Sequence, residues 1–429
     1  MSHIFKAQRI IAKQMKQQFV YLDAIPSPNG RSFRRLKVLL LADDQHISNP
    51  VRDYINAFVI HSDNDITVIN PIHARTPNYF QLCLFDVIII HYSLYILGDY
   101  FLSEEYCEVV KKFPGLKVQI IQDEHRLINQ MKERMADFGV SIIVSSLAPR
   151  NAQKVYGSDN LPGITVVSCL PGYISDKLYK IKTPDIAERS LDVVYRGRTL
   201  TPTLGTHSYD KIRIGEQFAA VAKSNSLTFD ISSDEESRLY GDDWLRFLSS
   251  GRATLGVEGG ASIFDFDGQV SRLVSEYREL NPSAGFHEIW ESTVSQYEGN
   301  VVHKTITPRI LEAIATKTAL VLFPGEYSGI LSPGRHYIEL KRDFSNIDTV
   351  LEQLKDTSGL QRLVDRTFDE ILGLERLTFR YFISKLDQLI LNRFLRLTHT
   401  AGFFKRAIFF IRMLNMARLK LIGAGLFQR

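Results

Sequence analysis

Short, almost continuously apolar segments recur along residues 35–180, and stretches with room for a helix separate several of them. Strands that are apolar on both faces are typical of a sheet covered on both sides, as parallel sheets are. The predicted strands are 37–44, 65–71, 86–93, 117–124, 141–146 and 164–171. Strand–helix alternation predicts a doubly wound parallel sheet, which binds its ligands at the carboxyl ends of the strands.

A second series of strands and helices occupies residues 190–355, after a linker rich in Pro, Gly, Asp and Lys at 171–190. Its predicted strands are 191–198, 226–232, 252–262, 319–331 and 336–343. We therefore predict an α/β protein with two facing Rossmann-like domains, 35–180 and 190–355. A helical lead-in at 1–34 precedes them, and a helical extension at 356–429 follows.

The composition is that of a globular protein, with 45% hydrophobic and 23% charged residues among 429. These values exclude a disordered chain, a collagen and a coiled-coil rod, and no apolar run is long enough to predict a membrane span. Residues 1–18 carry no apolar block of signal-peptide type. Three cysteines without a CxxC pair, Cys83, Cys107 and Cys169, favour a reducing compartment, so we expect a cytoplasmic protein.

The net charge of +4 is unevenly distributed, because residues 400–429 hold six basic side chains and no acidic one. The first 399 residues therefore carry a net charge of −2. Large apolar residues at spacings of three and four alternate with the bases over 394–429, which predicts a basic amphipathic helix at an anionic membrane surface. This helix would hold the protein at the inner face of the cytoplasmic membrane. The alternative is a helix packed across the two domains. Without a base-stacking motif, we expect no nucleic-acid partner.

A glycine-rich segment, residues 256–262, follows a predicted strand of the second domain. Backbone amides of Gly259 and Gly260 in an open turn can cradle phosphate oxygens, and the small Ser262 lets a ligand approach. The segment matches neither a P-loop nor a GxGxxG fingerprint. A tight turn without a ligand is the alternative interpretation.

Charged residues stand at equivalent strand ends of the same domain. Arg196 and Arg198 end a predicted strand, and guanidinium groups suit bidentate recognition of phosphate. Arg309 and Glu312 lie on the helix that precedes the strand 319–331. A carboxylate there can accept both hydroxyls of a ribose, and Arg309 can reach a phosphate. Surface salt bridges and a helix-dipole glutamate remain the structural alternatives.

The block 307–348 resembles the donor-binding half of a GT-B glycosyltransferase. The pieces YRGR (195–198) and LGVEGGAS (255–262) are similar to bacterial surface-polysaccharide glycosyltransferases of this class. The resemblance implies that the second domain binds a nucleotide sugar and the first domain holds a glycan or lipid-linked acceptor. It also implies that Glu312 contacts the nucleotide ribose.

The same resemblance implies donor contacts from the loop that contains Tyr327 and Ser328, and from His336, which is otherwise a structural histidine. The chain departs from the family pattern at one point. Many retaining members carry two glutamates with seven residues between them, and Lys304, eight positions before Glu312, occupies the position of the first. Glu258, on the neighbouring loop, is the candidate replacement.

Candidate catalytic groups of the first domain follow its predicted strands. A base must reach the acceptor hydroxyl, and Asp123, Glu124 and His125 form the best-placed titratable cluster. Asp123 is alternatively the N-cap of a helix that begins near Glu124. Further candidates, in order, are Asp43 with Asp44, and then His91.

The candidate motif of the DxD type is Asp265 with Asp267, after the glycine-rich segment, and its spacing also fits a strand or turn. We therefore expect neither a metal nor a cofactor beyond the nucleotide-sugar co-substrate. The predicted function is transfer of a sugar from a nucleotide-activated donor to a glycan or lipid-linked acceptor in bacterial surface-polysaccharide synthesis. A non-catalytic nucleotide-sugar-binding scaffold and a GT-B-type nucleotide-sugar epimerase are the alternatives.

Overall fold

The computed structural model of the protein describes residues 16–26, 35–77, 79–158 and 160–400. Most of the predicted lead-in and the tail beyond residue 400 therefore lie outside the described residues. Among the residues described, no helix is both long and apolar enough to cross a membrane.

The elements are numbered here in chain order. The strands are β1 Gln18–Tyr21, β2 Lys37–Leu41, β3 Asp65–Ile69, β4 Val87–Ile90, β5 Leu116–Ile120, β6 Ile142–Ser145, β7 Thr165–Ser168, β8 Leu191–Arg196, β9 Phe229–Ser232, β10 Gly251–Gly256, β11 Gly259–Ala261, β12 His303–Thr305, β13 Ala319–Leu322 and β14 Ile338–Glu339. The helices are α1 Asn49–His61, α2 Tyr79–Leu82, α3 Glu104–Lys112, α4 Ile128–Phe138, α5 Pro149–Tyr156, α6 Thr206–Ser224, α7 Gly241–Ser250, α8 Gln269–Leu280, α9 Phe286–Ile289, α10 Pro308–Ala315, α11 Ile347–Lys355, α12 Thr357–Thr367 and α13 Phe379–Thr400.

The first domain is built on a parallel seven-stranded sheet in the order β1-β7-β6-β5-β4-β2-β3. Successive residues of β4 alternate between two cores: Val87 and Ile89 pack on one face of the sheet, and Ile88 and Ile90 pack on the other. This double coverage is the reason for the continuous apolar runs. Residues 18–21, placed in the predicted helical lead-in, instead form the edge strand β1 beside β7.

The second domain has a parallel five-stranded sheet in the order β14-β13-β10-β8-β9. A short antiparallel pair, β11 with β12, encloses residues 262–302, which we call the excursion. The excursion contains α8 and α9 and has a small core of its own, formed by Ile263, Val270, Val274, Ile289 and Val294.

Helix α13 crosses back to the first domain and packs against α1. Phe382, Ile383 and Leu386 belong to the same core as the first sheet. Phe394 and Leu397 are half-buried against that core, so the predicted membrane-facing segment cannot begin at residue 394. The buried apolar face of α13 is therefore a packing face as far as residue 397.

The excursion also joins the two domains. The amides of Ile128 and Asn129, in the first turn of α4, donate to the carbonyls of Asp265 (3.3 Å) and Phe266 (2.9 Å). The amide of Asp265 donates to the carbonyl of His125 at 2.8 Å. Since the first amides of a helix have no partner within it, the second domain completes the start of α4.

Candidate active site

A cavity of about 1200 Å³ lies between the domains, where the carboxyl ends of both sheets face each other. The first domain contributes the loop from β5 to α4, residues 121–128. The second domain contributes the end of β8, helix α6, strand β11 and the segment from β12 to α10. The cavity therefore lies where doubly wound sheets bind their ligands.

Six basic residues of the described part of the chain line this cavity, and three of them come from successive elements of the second domain: Arg198 after β8, Lys211 on α6 and Arg309 on α10. Burial, together with the charges of Arg309 and Arg198, lowers the pKa of Lys211 to about 8. Among the described residues, neither Arg198 nor Lys211 has an ion-pair partner. Nη1 of Arg309 donates to the carbonyl of Arg196 at 2.7 Å, and its guanidinium lies over the Trp244 ring. A ligand with concentrated negative charge fits this wall.

Asp123 is exposed on the opposite wall, and its φ of 37° is unusual for a residue other than glycine. It does not cap a helix, because α4 begins at Ile128 with Leu127 at the N-cap position. The ring of His125 lies edge-on to Phe264, and burial lowers the pKa of this histidine to about 4. The structure thus brings both residues to the cavity.

Glu124 is turned into the first domain. Its carboxylate accepts hydrogen bonds from the hydroxyls of Ser145 (2.9 and 2.7 Å), Ser146 (3.2 Å) and Tyr156 (2.5 Å), and from the amide of Ser146 (2.9 Å). Burial raises its pKa to about 7. These donors saturate the carboxylate, which corrects its prediction as a group that reacts directly with the acceptor.

Arg196 differs from Arg198 although both were predicted to bind phosphate. Its two terminal nitrogens form a bidentate pair with Asp230, each at 2.8 Å, and Nε donates to the carbonyl of Ser237. Its guanidinium also lies over the Phe247 ring at 4.1 Å. These contacts agree with the alternative role of Arg196 as a salt-bridge partner. Arg196 also lines the cavity, and its contact with a phosphate stays a prediction that would require it to share its bonds with Asp230.

The glycine-rich segment is a strand rather than an open turn. Gly259 pairs with Thr305, and Gly260 pairs with Lys304. Gly260 has a φ of 111°, and a Cβ there would lie 2.1 Å from the carbonyl oxygen of His303. The close approach of two backbones explains Gly260. Both Gly259 and Gly260 line the cavity, and the contact of their amides with a phosphate stays a prediction.

Glu258 and the loop after β13 lie outside the wall of the cavity that the described residues form. Oε1 of Glu258 accepts from the amide of Tyr327 at 2.8 Å, and burial raises the pKa of this carboxyl. The fully buried Tyr327 donates its hydroxyl to the carbonyl of Phe323, and Ser328 accepts from the amide of Ile306. These contacts are structural and correct the predicted catalytic and donor roles.

Ser262 and His336 also have structural partners. The hydroxyl of Ser262 accepts from the amide of His207 at 3.3 Å and so supports the start of α6. His336 is buried away from the cavity, with Nε2 2.9 Å from Oε2 of Glu370 and Nδ1 accepting from the amide of Ser332. Both placements correct the predicted donor contacts.

Glu312 is buried behind the cavity wall, where Oε2 accepts from Nε1 of Trp244 at 2.8 Å. Burial raises the pKa of Glu312 to about 7, and Trp244 itself lines the cavity. The contact of Glu312 with a ribose stays a prediction, and it would require the carboxylate to share its bond with Trp244.

The remaining candidates lie elsewhere. Asp265 caps α8, because Oδ1 accepts from the amide of Gly268 and Oδ2 from the amide and hydroxyl of Ser271. No three His, Cys, Asp or Glu side chains of the described residues are grouped to hold a metal ion. Nδ2 of Asn70 donates to both Asp43 and Asp44, and His91 is fully buried. None of these three residues lines the cavity that the described residues form.

Among the cavity residues that the sequence analysis missed are Lys211 and His303. Lys211 is one of several polar residues along α6, and the sequence does not distinguish the one that faces the cavity. His303 follows Val302 and precedes Lys304 in a stretch without a recognisable motif. The one signal for His303 in the sequence is its position six residues before Arg309, which was already a candidate phosphate ligand.

Neither a known family model nor a curated protein sequence matches this chain. Solved structures do. An alpha-glucosyltransferase in complex with UDP and a 13-mer DNA containing a HMU base is 12% identical, with 84% of this chain and 100% of that chain covered and a TM-score of 0.50. An alpha-glucosyltransferase in complex with UDP alone is 11% identical, with coverage of 83% and 100% and the same TM-score.

The chain therefore has the GT-B glycosyltransferase fold, with two Rossmann-like domains and a helical C-terminal extension, as predicted. The comparison corrects one prediction. We expected no nucleic-acid partner, but a solved structure of this fold holds a DNA. A modest net charge and the lack of a base-stacking motif are thus insufficient grounds for excluding nucleic acid, and that exclusion is wrong.

Proposed function

We propose that the protein is a glycosyltransferase that binds a nucleotide sugar in the cavity and transfers the sugar to an acceptor hydroxyl. The observation that carries this proposal is the convergence of Arg198, Lys211 and Arg309 on one wall. Three neighbouring cations, none of which forms a salt bridge within the described residues, raise the electrostatic energy of the site, and a diphosphate lowers it. The same charges stabilise the diphosphate as it leaves, so the transfer requires no divalent metal.

We propose a uridine diphosphate sugar as the donor, which the UDP complexes of proteins with the same fold support. For the acceptor we propose a glycan of bacterial surface-polysaccharide assembly. Support for this finer assignment comes from the resemblance of residues 195–198 and 255–262 to enzymes of that pathway class.

Calorimetry with UDP tests the donor site. Arg198→Met should weaken binding by roughly 1.5–3 kcal/mol, the value of a charge-assisted hydrogen bond, which is about ten- to one-hundredfold in Kd. Arg246→Met is the matched control, because Arg246 is exposed on α7 and outside the cavity wall. Equal affinities of the two variants would contradict the assignment of the cationic wall.

Turnover of UDP-glucose separates the candidate functions. A transferase releases UDP and glycosylates an acceptor from a panel that includes glycans, lipid-linked glycans and hydroxymethylated duplex DNA, with unchanged rates in EDTA. Binding without turnover would favour the scaffold, and an epimerised sugar without an acceptor would favour the epimerase. Glycosylation of the DNA alone would overturn the glycan assignment.

A further inference from the structure

A chain of hydrogen bonds crosses the domain boundary at the cavity. Nε2 of His303, on β12 of the second domain, lies 3.2 Å from the hydroxyl oxygen of Ser146 in the first domain. That hydroxyl donates to Oε1 of Glu124 at 3.2 Å. Nearby, the side-chain amide of Asn151 donates to the carbonyl of Val302 at 2.7 Å and fixes the backbone just before His303.

The direction of these bonds defines the tautomer of His303. Above its pKa of about 7, the ionised carboxylate of Glu124 offers about four lone-pair sites and receives donors from Ser145, Ser146 and Tyr156. Since the Ser146 hydroxyl gives its only proton to Glu124, it must accept from Nε2–H of His303. Nδ1 of His303 then carries a lone pair rather than a proton.

That lone pair is available in the cavity. Among the described residues, Nδ1 of His303 has no hydrogen-bond partner. It does not belong to the polar atoms that are both buried and unpaired, so its lone pair is accessible. His303 lines the cavity and stands on the same segment as Arg309. Burial and the neighbouring His207, His125 and Lys211 lower its pKa to about 4, so the ring is neutral near pH 7.

The other candidates on the cavity wall lack an orienting partner. The side chains of Asp123 and His125 make no hydrogen bond within the described residues. A general base works best when a second group fixes its ring and tautomer, as the hydroxyl of Ser146 does for His303.

We propose that His303 is the catalytic base of the transfer, with Ser146 and Glu124 as positioning residues that act across the domain boundary. This inference rests on the proposed transferase function. The acceptor oxygen forms a bond to the anomeric carbon while its proton moves to Nδ1 of His303. The bond from the anomeric carbon to the phosphate oxygen breaks, and its electron pair leaves with the nucleoside diphosphate beside Arg198 and Lys211. The imidazolium then releases its proton to solvent.

The first test does not depend on turnover. Long-range ¹H–¹⁵N correlation spectra of the full chain labelled with ¹⁵N-histidine report the tautomer of each ring, and His303→Gln assigns the signal. At pH 8 we expect the Nε2–H tautomer. Ser146→Ala should abolish this preference, whereas Ser145→Ala should retain it, because Ser145 contacts Glu124 without contacting His303. An Nδ1–H tautomer in the wild type, or an unchanged ring in Ser146→Ala, would overturn the proposal.

The second test measures release of UDP from UDP-glucose, with water as the acceptor. His303→Ala and His303→Gln should lower kcat by about 10²–10⁴-fold, the usual contribution of a general base, with KM and UDP affinity within a few-fold. Added imidazole should restore part of the rate of His303→Ala. Ser146→Ala should lower kcat less, and Ser146→Thr, which keeps the hydroxyl, should recover it.

His73→Ala is the matched control, since His73 is exposed and outside the cavity wall, and its rate should equal that of the wild type. Rates of both His303 variants within twofold of the wild type would refute the base, even if UDP binding stands. A wild-type protein that binds UDP but never turns over a nucleotide sugar would refute the proposed function and the base together. The tautomer measurement would still establish whether the hydrogen-bond chain exists.

Discussion

Nε1 of Trp244 donates a hydrogen bond to Oε2 of Glu312 at 2.8 Å, and both residues are buried. The bond joins α7 to α10 and leaves the indole ring on the cavity wall, beneath Arg309. The sequence assigned Glu312 to the ribose of the nucleotide. Its carboxylate also holds Trp244, a residue of the cavity wall, in place.

Replacing Glu312 should reveal a pH-dependent cost of its burial. Burial raises the pKa of this carboxyl from 4.5 to about 7, so between these values the folded state keeps a proton that the unfolded state has lost. Stability from this group is therefore present below pH 4.5 and falls as the pH rises to 7. The unfolding free energy of the wild type minus that of Glu312→Gln should decrease by roughly 3 kcal/mol across this window.

Urea unfolding at a series of pH values measures this difference. Glu352→Gln, at an exposed position of α11, controls for the substitution itself. A difference that increases with pH would mean that the carboxylate of Glu312 is stabilised in its ionised form.

Replacing Asp123 with glycine should raise the stability of the protein and lower its activity. Its φ of 37° suits glycine better than aspartate, so Asp123→Gly should raise the free energy of unfolding by about 1 kcal/mol. The same change removes a carboxylate from the cavity and should lower turnover of UDP-glucose. Thermal unfolding measures the change in stability, and kinetics measure the change in turnover. Asp123→Asn is the control, because asparagine tolerates this backbone conformation. A variant that is both less stable and fully active would contradict the prediction.

A side chain at position 260 should lower the stability of the protein through a steric clash, whether or not a ligand is bound. A Cβ at position 260 would lie 2.1 Å from the carbonyl oxygen of His303, whereas one at Gly299 would meet nothing within 4 Å. Both positions have positive φ, so Gly299→Ala isolates the backbone strain of about 1 kcal/mol. Gly260→Ala should cost at least twice as much in denaturant unfolding without any nucleotide present. Similar costs for the two variants would argue against close approach as the reason for Gly260.

Helix α13 should be part of the folding unit of the first domain. Phe382 is fully buried and stacks on Tyr173, with the two ring centroids 4.7 Å apart. Phe382→Ala should therefore lower the free energy of unfolding by about 3–5 kcal/mol. Arg380→Ala, exposed on the same helix, should change it by less than about 0.5 kcal/mol. Equal effects in urea unfolding would show that α13 docks only loosely.

The sequence by itself determined the architecture, because a strand that is buried on both faces requires apolar residues at every position, and such a run is visible in the sequence. Val87 to Ile90 are apolar without a break, and the structure places them alternately in two cores. Helix-length segments between such runs predict the parallel order, and the resemblance of residues 307–348 led to the GT-B fold.

Only the tertiary structure decided which polar residues face the cavity, because their partners are distant in the chain. Arg196 and Arg198 look alike in YRGR, but Asp230 on the neighbouring strand β9 occupies the first and leaves the second exposed. Asp123 and Glu124 are adjacent carboxylates at the cavity, yet the first is exposed and the second is buried and saturated by donors that include serines of β6 and its following turn. His303 lies in an unremarkable stretch, and it acquires an orienting partner only when Ser146 comes within 3.2 Å from the other domain. Charge and residue type are properties of the sequence, whereas desolvation and hydrogen-bond direction depend on contacts that exist only after folding.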